Sequence, residues 1–324
     1  MSVPFAKRIS LANESGMTMV ELLVALAIGS FLMIGAVQVY NQSRQSFVIN
    51  ESIARVQETA QFAMDTIEAD IRMASNWGRT SRGSSINGRY DVADPDPLNL
   101  TPPTDCGADW VLDLSNPLVG TNNTYTLPCT ATGGAQANSD VFTARRATVA
   151  ASPLEAGRLQ IQSTRLQGTL FNDGNLPTGF DPITSETHNL LVNSYYVAAS
   201  STLIPGVPTL RRKTLVGGAI VDQEVAPGVE NMQLQLGVDV DEDNTVDRYV
   251  NPGDPIFIPG NPAFIPMARV LTARVWLVVR GINPEIGIED TAAYQPGDVN
   301  LGTYADDFRR MQVSKTILLR NART

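Results

Sequence analysis

An apolar run broken by one carboxylate limits what this chain can fold into more than any other stretch. From Met17 to Ser43 the only charged side chain is Glu21, with Gly16-Met17-Thr18-Met19-Val20 before it and Leu22-Leu23-Val24-Ala25-Leu26-Ala27-Ile28 after it. A helix of about 20 residues is about 30 Å long, the thickness of a bilayer core, so the segment is long enough to cross a membrane. A carboxylate inside such a segment costs several kcal/mol unless it is paired, which marks Glu21 as a functional residue whose partner must be found.

Lys7 and Arg8 form a basic flank ahead of the run. The positive-inside rule then keeps residues 1–16 in the cytoplasm and exports the chain beyond Val37. The sequence Gln38-Val39-Tyr40-Asn41-Gln42-Ser43 offers no small-x-small cleavage site, so the apolar helix continues into a polar one instead of being cut away.

Gly16, the apolar run and Glu21 together resemble the N-terminus of the type IV pilins and type II secretion pseudopilins. The resemblance implies that a prepilin peptidase cuts after Gly16, that Met17 becomes the methylated N-terminus, and that Glu21 meets the amine of a neighbouring subunit in the filament. Met17 stands where the family usually has Phe, and the leader of 16 residues is longer than many. The implied fold is α+β, a pilin-like lollipop with a long N-terminal helix packed on an antiparallel head. The implied organisation is a leader over 1–16, a membrane and filament-core helix over 17–43, an amphipathic helix over 44–78 and a periplasmic head over 79–324.

The 324 residues are 43% hydrophobic and 18% charged, enough to bury a sizeable core behind the helix. The formal charge is −9, and Lys7, Arg8 and Glu14 make the leader net positive, so the mature chain is more acidic still. That balance argues against a general nucleic-acid binder, and no nucleic-acid partner is expected. The two cysteines, Cys106 and Cys129, lack the spacing and companions of a zinc or redox site. In an exported domain they read as a disulfide, with two free buried thiols as the alternative.

Past the membrane segment, Ile49, Ile53, Val56, Ala60, Ala63, Ile67, Ile71 and Ala74 recur at steps of three and four. This predicts one helix to about Ser75 with Arg55, Glu58, Gln61, Asp65, Glu68 and Arg72 on its wet side, stopped at Asn76-Trp77-Gly78. Residues 79–137 are rich in breakers and read as an irregular surface insertion carrying the cysteines. Strands follow at 140–146 and 193–198, the second leading through Pro205-Gly206 into 210–215 as a hairpin. Met232, Leu234, Leu236 and Val238 alternate with Gln233 and Gln235, predicting a strand with one wet face. Leu271, Ala273, Val275, Leu277 and Val279 predict a long central strand, and 316–319 a last one.

Tyr195-Tyr196-Val197, Leu210-Arg211-Arg212, Phe308-Arg309-Arg310 and Leu319-Arg320-Asn321 resemble two subgroups, the PilW-type minor pilins and the J-type minor pseudopilins. J-type chains are usually shorter, which favours the first. That resemblance implies a part in the priming or tip complex of the type IV pilus, supporting adhesion and twitching motility. Its implied partners are the prepilin peptidase, other minor pilins, the major pilin and a tip adhesin, with residence in the inner membrane and then in the pilus.

Asp239, Asp241, Asp243 and Asp247 fall at loop positions 1, 3, 5 and 9 of a calcium-loop pattern. Asn244 replaces its glycine and Val250 its bidentate carboxylate, so a solvated hairpin tip is the simpler reading, and no cofactor is expected beyond a calcium ion there. His188 is the only histidine, in a polar stretch that reads as surface, and no nucleophile elbow, zinc-protease motif or phosphate loop occurs, so no enzyme is expected. Arg145-Arg146, Arg211-Arg212 and Arg309-Arg310 read as solvated or strand-edge pairs or as a partner-binding or DNA-binding face. A pseudopilin, a DNA-uptake subunit and a bitopic periplasmic enzyme are the alternatives.

Overall fold

The computed structural model describes residues 16–90, 100, 102–107, 109–285 and 287–322; the leader, Gly16 apart, lies outside them. By its contacts the chain forms two units, residues 1–52 and 53–324. One helix, α1 (Met19–Met73), supplies residues to both. Then come β1 (Ile86–Asn87), α2 (Asp109–Leu112), β2 (Leu118–Thr121), β3 (Val141–Ala147), β4 (Gln160–Ser163), β5 (Gly168–Phe171) and β6 (Glu186–Ala198). They are followed by β7 (Thr209–Val216), β8 (Ala219–Pro227), β9 (Val229–Asp239), β10 (Arg248–Val250) and β11 (Arg269–Arg280). The last are β12 (Ala293–Tyr294), β13 (Gly302–Thr303) and β14 (Arg310–Leu318).

In the first unit the apolar side chains of α1 are exposed, including Leu23, Leu26, Phe31, Leu32 and Val37. The segment meets the length and composition of a membrane span, and an apolar surface of this extent is stable only in lipid or against other apolar chains.

In the second unit the predicted stripe is the core face of the helix. Val56, Ala60, Ala63, Ile67 and Ile71 pack with Met232, Leu234 and Leu236 of β9, with Ala273, Val275 and Leu277 of β11, and with Phe142 and Tyr195. The polar side differs from expectation at Glu68, which is buried and ion-paired to Arg72 and Lys315. The helix also stops earlier than the sequence predicts. Ser75 takes the left-handed conformation at φ 68°, and Asn76 N–H bonds Met73 O at 3.1 Å. Gly78 also takes the left-handed conformation expected of it, at φ 86°, and allows a close approach besides, because a Cβ there would lie 2.5 Å from His188 Cδ2.

Two main sheets follow. Eight strands run β1-β5-β4-β6-β3-β2, with β7 added to the second half of β6 and β8 to β7; β1–β5 is parallel and the other pairs are antiparallel. The four-stranded sheet runs β10-β9-β11-β14 and is antiparallel throughout, so β11 is interior as its alternation predicts. β6 and β7 form the expected hairpin partners, Asn193 opposite Thr214 and Ala198 opposite Thr209.

The insertion is not a mere surface excursion. Trp110, Val111, Leu112 and Leu114 are buried with Trp77, Ile86, Ile161, Leu170, Leu190 and Val192 in a second core. Tyr195 and Val197 of β6 belong to the helix-side core and Leu190 and Val192 to this one, so β6 is buried on both faces, as strand alternation requires. The Trp110-Val111-Leu112 run was the available signal. A disulfide joins Cys106 to Cys129 and closes this segment. Loop entropy makes such a closure worth about 3 kcal/mol, so Cys106→Ser should lower the denaturant midpoint by that equivalent while the reducing agent dithiothreitol does the same to wild type. A midpoint insensitive to both would show that the bridge does not constrain the unfolded chain.

The wet face expected for β9 is dry at Gln233, which is 1% exposed. Its amide donates to Asn138 O at 2.9 Å and Asn231 Oδ1 at 3.1 Å, so local acceptors replace water.

Candidate functional site

The start of α1 shows how the chain handles its costly carboxylate. Thr18 is the residue before the helix, and Leu22 N–H bonds Thr18 O at 3.1 Å as the first helical bond. Glu21 N–H donates to Thr18 Oγ1 at 3.3 Å, while Thr18 N–H and Oγ1–H donate to Glu21 Oε2 at 2.9 and 2.8 Å. This is a reciprocal capping box, and the spacing Thr-x-x-Glu signals it in the sequence, a local partner in addition to the neighbour's amine that the resemblance implies for Glu21. A cap is worth about 1 kcal/mol, less than the several that a carboxylate costs in lipid. Both local bonds fall on Oε2, and Oε1 has no partner among the described residues. Gly16, Met17 and Glu21 are all exposed.

The acidic loop is a hairpin tip between β9 and β10, with Arg248 opposite Val238. Asp239, Asp241 and Asp247 each bring an oxygen within 4.8 Å of the others, and Asp243 stays outside that group, accepting from Thr245. Asn244 does adopt the left-handed conformation, at φ 65°. The fully buried Asp239 accepts from Glu242 N at 2.7 Å and Asn244 N at 3.0 Å, and pairs with Arg269 at 2.9 Å. A cation here would compete with that ion pair, and Val250 sits in β10 with no oxygen to offer from its side chain.

The arginine pairs are interior ties, not a solvated or DNA-facing surface. Arg145 is buried and donates to Trp110 O at 2.8 Å and Asn116 O at 2.7 Å. Arg146 reaches Asp70 of α1 at 2.9 Å. Arg211 pairs with Asp222 at 2.9 Å and Glu224 at 3.1 Å, and Arg212 donates to Gln223. Arg309 pairs with Glu285, and Arg310 with Glu230 and Asp306, both at 2.6 Å, beneath the Tyr304 ring. Most of these cations meet a carboxylate, because an unpaired buried charge costs several kcal/mol, and Arg145 adds two backbone carbonyls to Asp113 at 3.8 Å. His188 is likewise buried, its Nδ1 2.8 Å from Thr148 O and its Nε2 3.3 Å from Glu186, so the surface reading of the sequence does not hold. The strand alternation of β6 places it inward.

Two family models match the chain. Residues 11–37 match the prokaryotic N-terminal methylation motif, and residues 194–321 match the type IV pilus-assembly protein W family. By these two matches the chain resembles a type IV minor pilin, its C-terminal part the PilW family. The second match spans β7, β9, β11 and β14 and includes the Arg211 and Arg310 ties. The methylation motif brings with it processing by a prepilin peptidase and assembly with other pilins. A type IV-like pilin from Thermus thermophilus is 13% identical at a TM-score of 0.35, with 83% of this chain and 98% of that one covered. No curated protein matches the chain.

Proposed function

We propose that this chain is a PilW-type minor pilin, an inner-membrane prepilin with its head in the periplasm, cut after Gly16, methylated on Met17 and joined to other minor pilins in the complex that primes pilus growth. The observation that carries this reading is the half-used carboxylate of Glu21. Thr18 engages Oε2 alone, and Oε1 stands at the exposed start of an apolar helix. A neighbour's N-terminal amine fits that oxygen through a charge-assisted bond, which strengthens as lipid or packed helices exclude water. One subunit's cut end thereby sets the register of the next, and pilus-dependent adhesion and twitching follow from the assembled filament.

Glu21→Ala should abolish pili counted by electron microscopy, and Gly16→Ala should do the same while leaving the leader attached by mass. Thr18→Ala removes only the local cap, about 1 kcal/mol, and should keep pili. Normal pilus counts with Glu21→Ala would overturn the assembly role.

A further inference from the structure

We propose that the cavity beside β2 binds an extended acidic peptide segment presented by a partner subunit. The cavity encloses about 400 Å³, within the size range of ligand and peptide-anchor sites. It lies within the second unit, bounded by residues 81–84, residues 114–120, the start of β11 and residues 321–322.

Its wall contrasts with the rest of the molecule. In a chain of formal charge −9, the lining contains two arginines, Arg82 and Arg269, and no Asp or Glu. Arg269 is committed to Asp239, whereas the exposed Arg82 guanidinium meets no carboxylate among the described residues. The hydroxyls of Ser81, Ser84 and Ser115 also line the space and make no hydrogen bond among those residues. A cation with free hydroxyls around it selects a carboxylate, which Arg82 can grip through two parallel N–H bonds.

The strand edge selects a peptide to carry that carboxylate. Among the described residues β2 ends its sheet and pairs only with β3. Arg145 N–H bonds Pro117 O at 2.8 Å, so by the alternation of an antiparallel ladder Leu118 turns its own N–H and C=O to the open side. Extended chain laid along this edge gains backbone bonds at Leu118 and offers successive side chains to opposite sides. Apolar side chains meet Leu236, Phe257 and Val270, and acidic ones meet Arg82. A segment alternating apolar and acidic residues satisfies both walls. This docking goes beyond the assembly reading and does not rest on it, since peptide binding is measured on the isolated chain and pilus counts are not.

The test is fluorescence anisotropy of the full chain in detergent micelles with a labelled heptapeptide alternating valine and glutamate. The same peptide with glutamine for glutamate, and free glutamate as competitor, accompany it. The acidic peptide should saturate in the micromolar range and the glutamine peptide should bind at least tenfold more weakly. Arg82→Glu should weaken the acidic peptide at least tenfold at an unchanged melting temperature, its side chain being exposed, and Ser84→Trp should block the mouth to both peptides. Equal binding of the two peptides, insensitivity to Arg82→Glu, no binding at millimolar peptide, or free glutamate competing at the same concentration as the peptide would each overturn the proposal.

Discussion

Replacing Asp70 with alanine should cost the head about 3–5 kcal/mol, the loss expected when one member of a buried charge network is removed. Asp70 is 3% exposed on α1 and is the helix's main polar tie to the eight-stranded sheet. Arg146 donates to its Oδ1 at 2.9 Å, while Asn193 Nδ2 and Tyr195 Oη donate to Oδ2 at 2.7 and 2.6 Å. Burial and the neighbouring carboxylate both push the Tyr195 phenol well above its ordinary range, so it stays protonated and donates. Alanine leaves all three donors without their acceptor.

Asp65→Ala is the control. That carboxylate, five residues earlier on α1, is more than half exposed and 3.8 Å from Lys315, so its loss should cost less than 1 kcal/mol. Urea unfolding of the full chain in detergent, followed by circular dichroism, separates the two. Equal midpoints for both variants would show that the Asp70 network contributes nothing beyond a surface pair.

Asp70 also illustrates which parts of this molecule could be read ahead of its structure. The stripe from Val56 to Ala74 is legible because its period matches the helix, and the run from Leu271 to Val279 because its period matches the strand. Both are local patterns that report which face meets a core. Whether a charge is buried is not a local property. Arg310 lies 80 positions from Glu230, and Asp70 lies 125 from Tyr195, so nothing beside either residue announces its partner. Polar character therefore points Glu68 and His188 toward solvent and leaves Arg145 and Arg310 without an interior reading. At the membrane end the opposite held. Glu21 was legible as exceptional because its surroundings in sequence are uniformly apolar, and the unread detail was the threonine three residues before it.

The stability of the head should fall as pH rises from 5 to 7.5, contrary to what its paired carboxylates alone would give. Asp140, wholly buried just before β3, accepts from Asn123 N–H at 2.8 Å and Leu234 N–H at 2.7 Å. Burial outweighs those two bonds, and nearby Asp298 adds repulsion, so the carboxyl is pushed up from 3.8 to about 7. Between those values the folded chain holds a proton that the unfolded chain has released, and stability then declines with rising pH. The decline across pH 5 to 7.5 is on the order of 2–3 kcal/mol. Asp306 has the opposite sign. Hydrogen bonds from Arg310 hold its carboxyl below the ordinary range, so its contribution is present above about pH 4 and is lost as pH falls further. Asp222 behaves likewise, because bonds from Lys213, Tyr196 and Arg211 overcome its burial. The melting temperature should therefore peak between about pH 4 and 5, and Asp140→Asn should flatten the fall above pH 5 while leaving the acid limb intact. A melting temperature that rises or stays level from pH 5 to 7.5 in the wild type would mean that the two backbone N–H groups keep Asp140 ionised despite its burial.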